Sequence, residues 1–415
     1  MTITTTRLDC GLTVVTEPMP DTRSIAVGFW VGTGSRDEDP KVAGASHFLE
    51  HLLFKGTERR TARDIAESVD EVGGDSNAIT TKEYTAFYIR VLSEAQALAI
   101  DLLSDIMWAP AFRLVDVEAE REVIGEEILM HAEEPADLVH ELFAATLFPD
   151  HSLGRDVLGD EKTISAMERD QIAAFHAQHY RPANIVLSAA GDLDHDEIVA
   201  STERAFTGSV GGVQPARVAP AQPGGGRVVL NRPGEQAHLV VGVPALDRDD
   251  DDRYALAAVN HVLGGGMSSR LFQEIRERRG LAYSVYSYRA SYQGAGALAI
   301  YVGTSPARAG EVHGLIEAEL DRLVADGISE RELAMAKSHL LGSLALSLED
   351  SGARMSRLGR SELVHGRVPP VEELEGRLQE LTMADVERVV ARVLPGPRVV
   401  AGVGPFTEED LQHRH

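Results

Sequence analysis

The sequence predicts an α+β protein made of two homologous halves, each an antiparallel-rich sheet covered by helices. Three observations carry that expectation. Strand-like apolar segments open each half, helical periodicities follow them, and the order of elements restarts after a Gly- and Pro-rich break near the middle of the chain. At 415 residues the chain is too long for one core, and its 43% hydrophobic content is enough to fill two.

Taken in order, "GLTVVTEP" and "SIAVGFWVGTGSR" read as strands because β-branched and aromatic residues dominate them. "ARDIAESVDEVG" keeps its apolar residues at helical spacing. The glycines of "GGDSNAITTKEYTAFYIRV" mark a turn, with Asn77 through Arg90 forming a pair of strands beyond it. Helices follow in "SEAQALAIDLLSDIMW", "VDVEAEREVIGEEILMHAEE", "ADLVHELFAATLF" and "ERDQIAAFHAQHY", and the buried strand "NIVLSAAGDL" closes the half.

Residues 208–226 then lose periodic pattern to Gly, Pro and small side chains, which marks a linker. The expected domains are 1–207 and 227–415. Beyond the linker come strands "RVVLNRPG" and "QAHLVVGVPAL", helices "DRYALAAVNHVLG" and "MSSRLFQEIRERR", strands "AYSVYSYRAS" and "GALAIYVG", helices from Pro306 onward, and a last strand "RVVAGVG". This repeats the first half as a diverged copy, in which the helix with His261 corresponds to the helix with His47.

A formal charge of -25 repels nucleic acid and anionic membranes, so neither is expected as a partner. The single cysteine, Cys10, excludes an intrachain disulfide, and its place in an early strand suits a small buried hydrophobe better than a catalytic thiol. "MTITTTRLDCGLTVVTEP" lacks the basic start and apolar core of a secretion signal, and no apolar run is long enough to span a bilayer. A cytoplasmic location is the expectation.

Chemistry concentrates in "VAGASHFLEHLLFKGT". His47 and His51 are four apart and share a helical face, which Glu50 flanks. Two neutral imidazoles so placed can both reach a zinc ion. Phe48, Leu49, Leu52, Leu53 and Phe54 surround them with apolar surface. A catalytic zinc asks for a third protein ligand and an open position, and "EAEREVIGEEILMHAEE" offers Glu120 and Glu127, seven apart on one stripe, with Glu122 and Glu126 on other faces. The same run also reads as a solvated acidic face. "LGGGMSSRLFQEIRERRGLAY" raises a phosphate cradle as an alternative, but it lacks the G-x-G-x-x-G spacing and follows a helix rather than a strand.

"HFLEH", with 75 residues before the glutamate at 127, resembles the inverted-zincin signature of the pitrilysin, insulin-degrading enzyme and mitochondrial processing peptidase superfamily. "GTGSRDEDPKVAGASHFLEHLLFKGT", "GGDSNAITTKEYTAFYIRV" and "LGGGMSSRLFQEIRERRGLAYSVYS" resemble three of its segments in the right order, so the likeness covers essentially the whole chain. The resemblance implies a zinc metalloendopeptidase with one Zn2+ per chain, held by His47, His51 and Glu127. It makes Glu50 the base and Glu120 a supporting acid. Asn77 and Ala78, with Arg276 and Tyr283 from the second half, become contacts to an extended or unfolded peptide substrate. The longer relatives have four such units closing a clamshell chamber, so a chain with two implies a homodimer, or a heterodimer with a homologous chain. Members of this superfamily that act as non-catalytic, partner-dependent scaffolds supply the alternative.

Overall fold

The structure is a computed structural model that describes residues 2–411. Its first sheet is built from β1 (Thr4–Arg7), β2 (Thr13–Pro18), β3 (Ser24–Val31), β4 (Asp75–Thr80), β5 (Thr85–Leu92) and β6 (Ile185–Gly191), in the spatial order β1-β2-β6-β3-β5-β4. β3 shows why the sheet has two apolar faces. Ile25, Val27, Phe29 and Val31 point into one core, while Ala26 and Trp30 point into another, as the period of two requires.

The second sheet contains β7 (Gly226–Asn231), β8 (Ala237–Pro244), β9 (Ala282–Tyr292), β10 (Ala295–Thr304) and β11 (Val399–Gly404), in the order β7-β11-β8-β10-β9. Without β1, the first sheet has the same plan. β2 pairs parallel with β6 as β7 does with β11, and the other neighbours are antiparallel in both. The restart read from the sequence is therefore a repeat of topology. β1 is hard to read from the sequence, because "TTTR" has β-branched threonines but no apolar residue to mark a buried face. Cys10 lies in the turn between β1 and β2, not in a strand, and is partly buried against the first core.

The chain forms two compact units, and neither is continuous. One comprises Met1–Ile128, Asp156–Ala216 and Leu344–Pro369; the other comprises Leu129–Arg155, Arg217–Ser343 and Pro370–His415. This differs from a simple division at 208–226, and the two-faced sheets explain why. In the first unit the helix Ser351–His365, from late in the sequence, covers the Ala26 and Trp30 face and brings Met355 and Leu358 into its core. Gly359 permits the approach, since a Cβ there would collide with the Trp30 indole. Arg354 on this helix pairs with buried Glu17 of β2 at 2.5 Å. In the second unit the helix Pro135–Leu147, from early in the sequence, covers the corresponding face. Its Val139, Phe143 and Leu147 pack with Val399, Ala401 and Val403 of β11, Val240 of β8 and Ala299 of β10.

No helix among the described residues is long and apolar enough to cross a membrane.

Candidate metal centre and active site

The site begins with the helix Ala45–Leu53, whose start is fixed by two neighbours. Gly44 sits at its N-terminus with φ 93, and a Cβ there would lie 2.6 Å from the Leu158 carbonyl oxygen, so only glycine fits. Buried Glu38 accepts the Gly44 N–H at 2.8 Å and the Ser46 N–H at 2.7 Å. A carboxylate thereby satisfies first-turn donors that have no partner within the helix and meets the positive end of its dipole. Phe48, Leu49, Leu52 and Leu53 then anchor the helix in the first core, which leaves His47, Glu50 and His51 to the opposite side.

The helix Leu114–Glu133 brings Glu127 to both histidines. Its Oε2 lies 3.6 Å from His47 Nε2 and 3.5 Å from His51 Nε2. Ligands about 2.0–2.1 Å from one tetrahedral ion stand about 3.3–3.4 Å apart, so both histidines are near the separation from Glu127 that a shared zinc requires, and all three donor atoms lie within 4.8 Å of one another. Burial, and then the neighbouring His51, push the His47 pKa down to about 4, which keeps that imidazole neutral and able to donate a lone pair at neutral pH. His47, His51 and Glu127 form one of the groups able to hold a metal ion among the described residues. Glu122 and Glu126 are on other faces of their helix, away from this point.

Glu120 is buried, and its Oε2 lies 3.0 Å from His51 Nδ1. Its other oxygen lies 2.6 Å from Lys55 Nζ. Glu50 stands outside the donor group. Burial raises its pKa and Glu127 adds to the rise, while Thr80 and His51 pull the other way. A cleft of about 370 Å3 opens beside it, lined by Glu50, His51, Lys55 and Glu120 together with apolar Phe54, Ile65 and Ala78.

Asn77 and Ala78 lie on β4, an edge strand that pairs only with β5 among the described residues. The Ala78 N–H donates to Asn77 Oδ1 at 2.8 Å, and both residues line the cleft. Arg276 and Tyr283 belong to the second unit. Arg276 sits in a π-helical turn, Phe272–Arg278, where the sequence pattern predicts an ordinary helix, and its guanidinium stacks 4.8 Å from the centres of both the Phe272 and Tyr283 rings. Tyr283 is 83% exposed at the start of β9. The counterpart helix Arg253–Gly264 places His261 against His339, with ring centroids 4.1 Å apart, and joins no three-membered metal group among the described residues. Glu38 and Thr80 carry no signal in the sequence pattern, because each acts across a turn or from another element; Lys55 keeps the four-residue spacing from His51, but nothing in that spacing names Glu120 as its partner.

The chain matches the family described as Insulinase (Peptidase family M16) over residues 13–161 and the Peptidase M16 inactive domain over residues 166–340. An uncharacterized zinc protease of Streptomyces coelicolor is 42% identical over 423 residues, covering 100% of this chain and 92% of that protein. One from Bacillus subtilis is 40% identical over 379 residues, covering 91% and 92%. Among solved structures, a peptidase M16 inactive domain from Pseudomonas fluorescens superposes with a TM-score of 0.91 at 24% identity, covering 98% of this chain and 99% of that one. A protease from Helicobacter pylori gives 0.91 at 23% identity, covering 97% and 99%. At such identities these two likenesses bear on the fold.

Proposed function

The chain belongs to the insulinase family, peptidase family M16, and we propose that it is a zinc-dependent endopeptidase acting on extended peptides. The observation that carries this reading is the convergence of His47, His51 and Glu127 on one point, with Glu50 beside them and outside that donor set. A zinc ion held there would supply Lewis acidity and lower the pKa of water toward 7.

The protein's own groups would do the rest. Glu50 takes a proton from the attacking water and returns it to the leaving amine nitrogen, a role suited to a carboxylate whose pKa burial has raised. The open edge of β4 takes up the peptide main chain by strand addition, which depends little on side-chain sequence. The cleft beside Glu50 receives a substrate side chain. Glu120 orients the His51 ring through Nδ1. In this reading two copies of the chain act together, and Arg276 and Tyr283 serve the peptide.

Hydrolysis of a quenched peptide by the purified protein, abolished by a chelator and restored by zinc, is the expected result. Zinc binding without hydrolysis of any member of a peptide library would overturn the enzyme reading and favour a peptide-binding scaffold.

A further inference from the structure

Lys55 lies four residues beyond His51, as His51 lies four beyond His47, so the helical stripe that carries the histidines continues past the end of the helix at Leu53. Its ammonium group reaches the carboxylate that holds His51. Glu120 is only 3% exposed and uses one oxygen for each neighbour: Oε2 for His51 Nδ1 at 3.0 Å and Oε1 for Lys55 Nζ at 2.6 Å. Lys55 itself is partly exposed at the cleft.

We propose that Lys55 is a positioning residue for the metal centre, acting through Glu120 to fix the His51 ring. A buried carboxylate is costly unless its charge is balanced and its lone pairs are used, and a single contact to an imidazole leaves one oxygen without a partner. Lys55 supplies the balancing charge. It also stops the carboxylate from turning, because a group held at both oxygens has one orientation while a group held at one has several. The His51 ring inherits that orientation through Nδ1, leaving Nε2 aimed at Glu127 at 3.5 Å. The cleft position of Lys55 offers a competing role, a direct contact with substrate, and the two roles leave different marks.

This inference rests on the zinc reading above, so its test measures metal binding separately from hydrolysis. Zinc affinity of the metal-free protein is determined by competition with a chromophoric chelator for the wild type, Lys55→Met, Lys55→Arg, Glu120→Gln and the Lys55→Met/Glu120→Gln double variant. Circular dichroism checks that each is folded. Lys55→Met should weaken zinc binding about tenfold, in the range set by partners of metal ligands. Lys55→Arg, which can still bind the carboxylate, should recover most of the loss. In the Glu120→Gln background the lysine change should have less than about a twofold effect, because the group through which it acts is gone. Wild-type zinc affinity in Lys55→Met, or an equal loss with and without Glu120, would overturn the proposal, as would a change confined to KM. A wild type that binds zinc but hydrolyses no peptide would defeat the proposed activity and leave the role of Lys55 standing; a wild type that binds no zinc would defeat both.

Discussion

Replacing Glu38 by glutamine should loosen the first unit far more than a change of one atom suggests. Both carboxylate oxygens are used, one on the Gly44 N–H and one on the Ser46 N–H. Glutamine keeps the shape but offers one acceptor oxygen and turns an amide donor toward the other N–H. One first-turn donor is then buried without a partner, at about 1–3 kcal/mol. Loss of the negative charge at the helix N-terminus adds about 0.3–1 kcal/mol, so the expected destabilisation is about 1–4 kcal/mol. The assay is urea unfolding of the metal-free protein followed by tryptophan fluorescence. Both tryptophans, Trp30 and Trp108, lie in the first unit, so the signal reports on that unit. His47 lies in the first turn of the same helix, so zinc affinity should fall in parallel. A change below about 0.5 kcal/mol, the scatter of ordinary surface substitutions, would refute the capping account.

Glu50→Gln should keep zinc near wild-type content while peptide hydrolysis falls by orders of magnitude; joint loss of metal and activity would make Glu50 a ligand instead. Glu127→Gln should bind zinc far more weakly, with activity partly rescued by added metal, whereas Glu126→Gln should leave metal content intact. Burial lowers the His176 pKa to about 4, and its Nε2 donates to the Met107 carbonyl at 3.0 Å. With the folded value below the unfolded 6.5, stability is complete above pH 6.5 and is lost as pH falls toward 4, by up to about 3 kcal/mol. His176→Gln should flatten that slope in fluorescence-detected unfolding. Finally, mixing Glu50→Gln chains with Arg276→Ala/Tyr283→Phe chains should recover activity if a second copy completes the site; mixed dimers seen by mass spectrometry without recovery would sink that reading.

Much of this was legible in the sequence because local rules govern it. The short β-branched and aromatic runs of β3 and β8 announce strands, the glycines and prolines of 208–226 announce a break, and the four-residue spacing of His47 and His51 announces a shared helical face. The pairing of Glu127 with that face needed the family resemblance, since its own helix is acidic on several sides. What stayed hidden depends on distant contacts. Glu38 caps a helix from six residues before Gly44, across the intervening turn Pro40–Val42, which no capping pattern encodes. The helix Pro135–Leu147 carries an apolar stripe like many others, and nothing within it specifies which sheet it will cover. The π-helical turn at Arg276 needs one extra residue per turn, a difference that the charged run "EIRERR" does not reveal.

The exchange of helices between the two halves has a consequence for anyone who cuts the chain. A fragment ending in the linker retains Pro135–Leu147, which belongs to the second unit, and lacks Ser351–His365, which belongs to the first. Each fragment expressed alone would expose the apolar face of its sheet, around Trp30 in one and Val240 in the other, and should aggregate. Expressed together, each would bring the helix that the other needs. The linker is thus a site where the gene can be split and its products should reassemble, each fragment supplying the helix that covers the other's sheet.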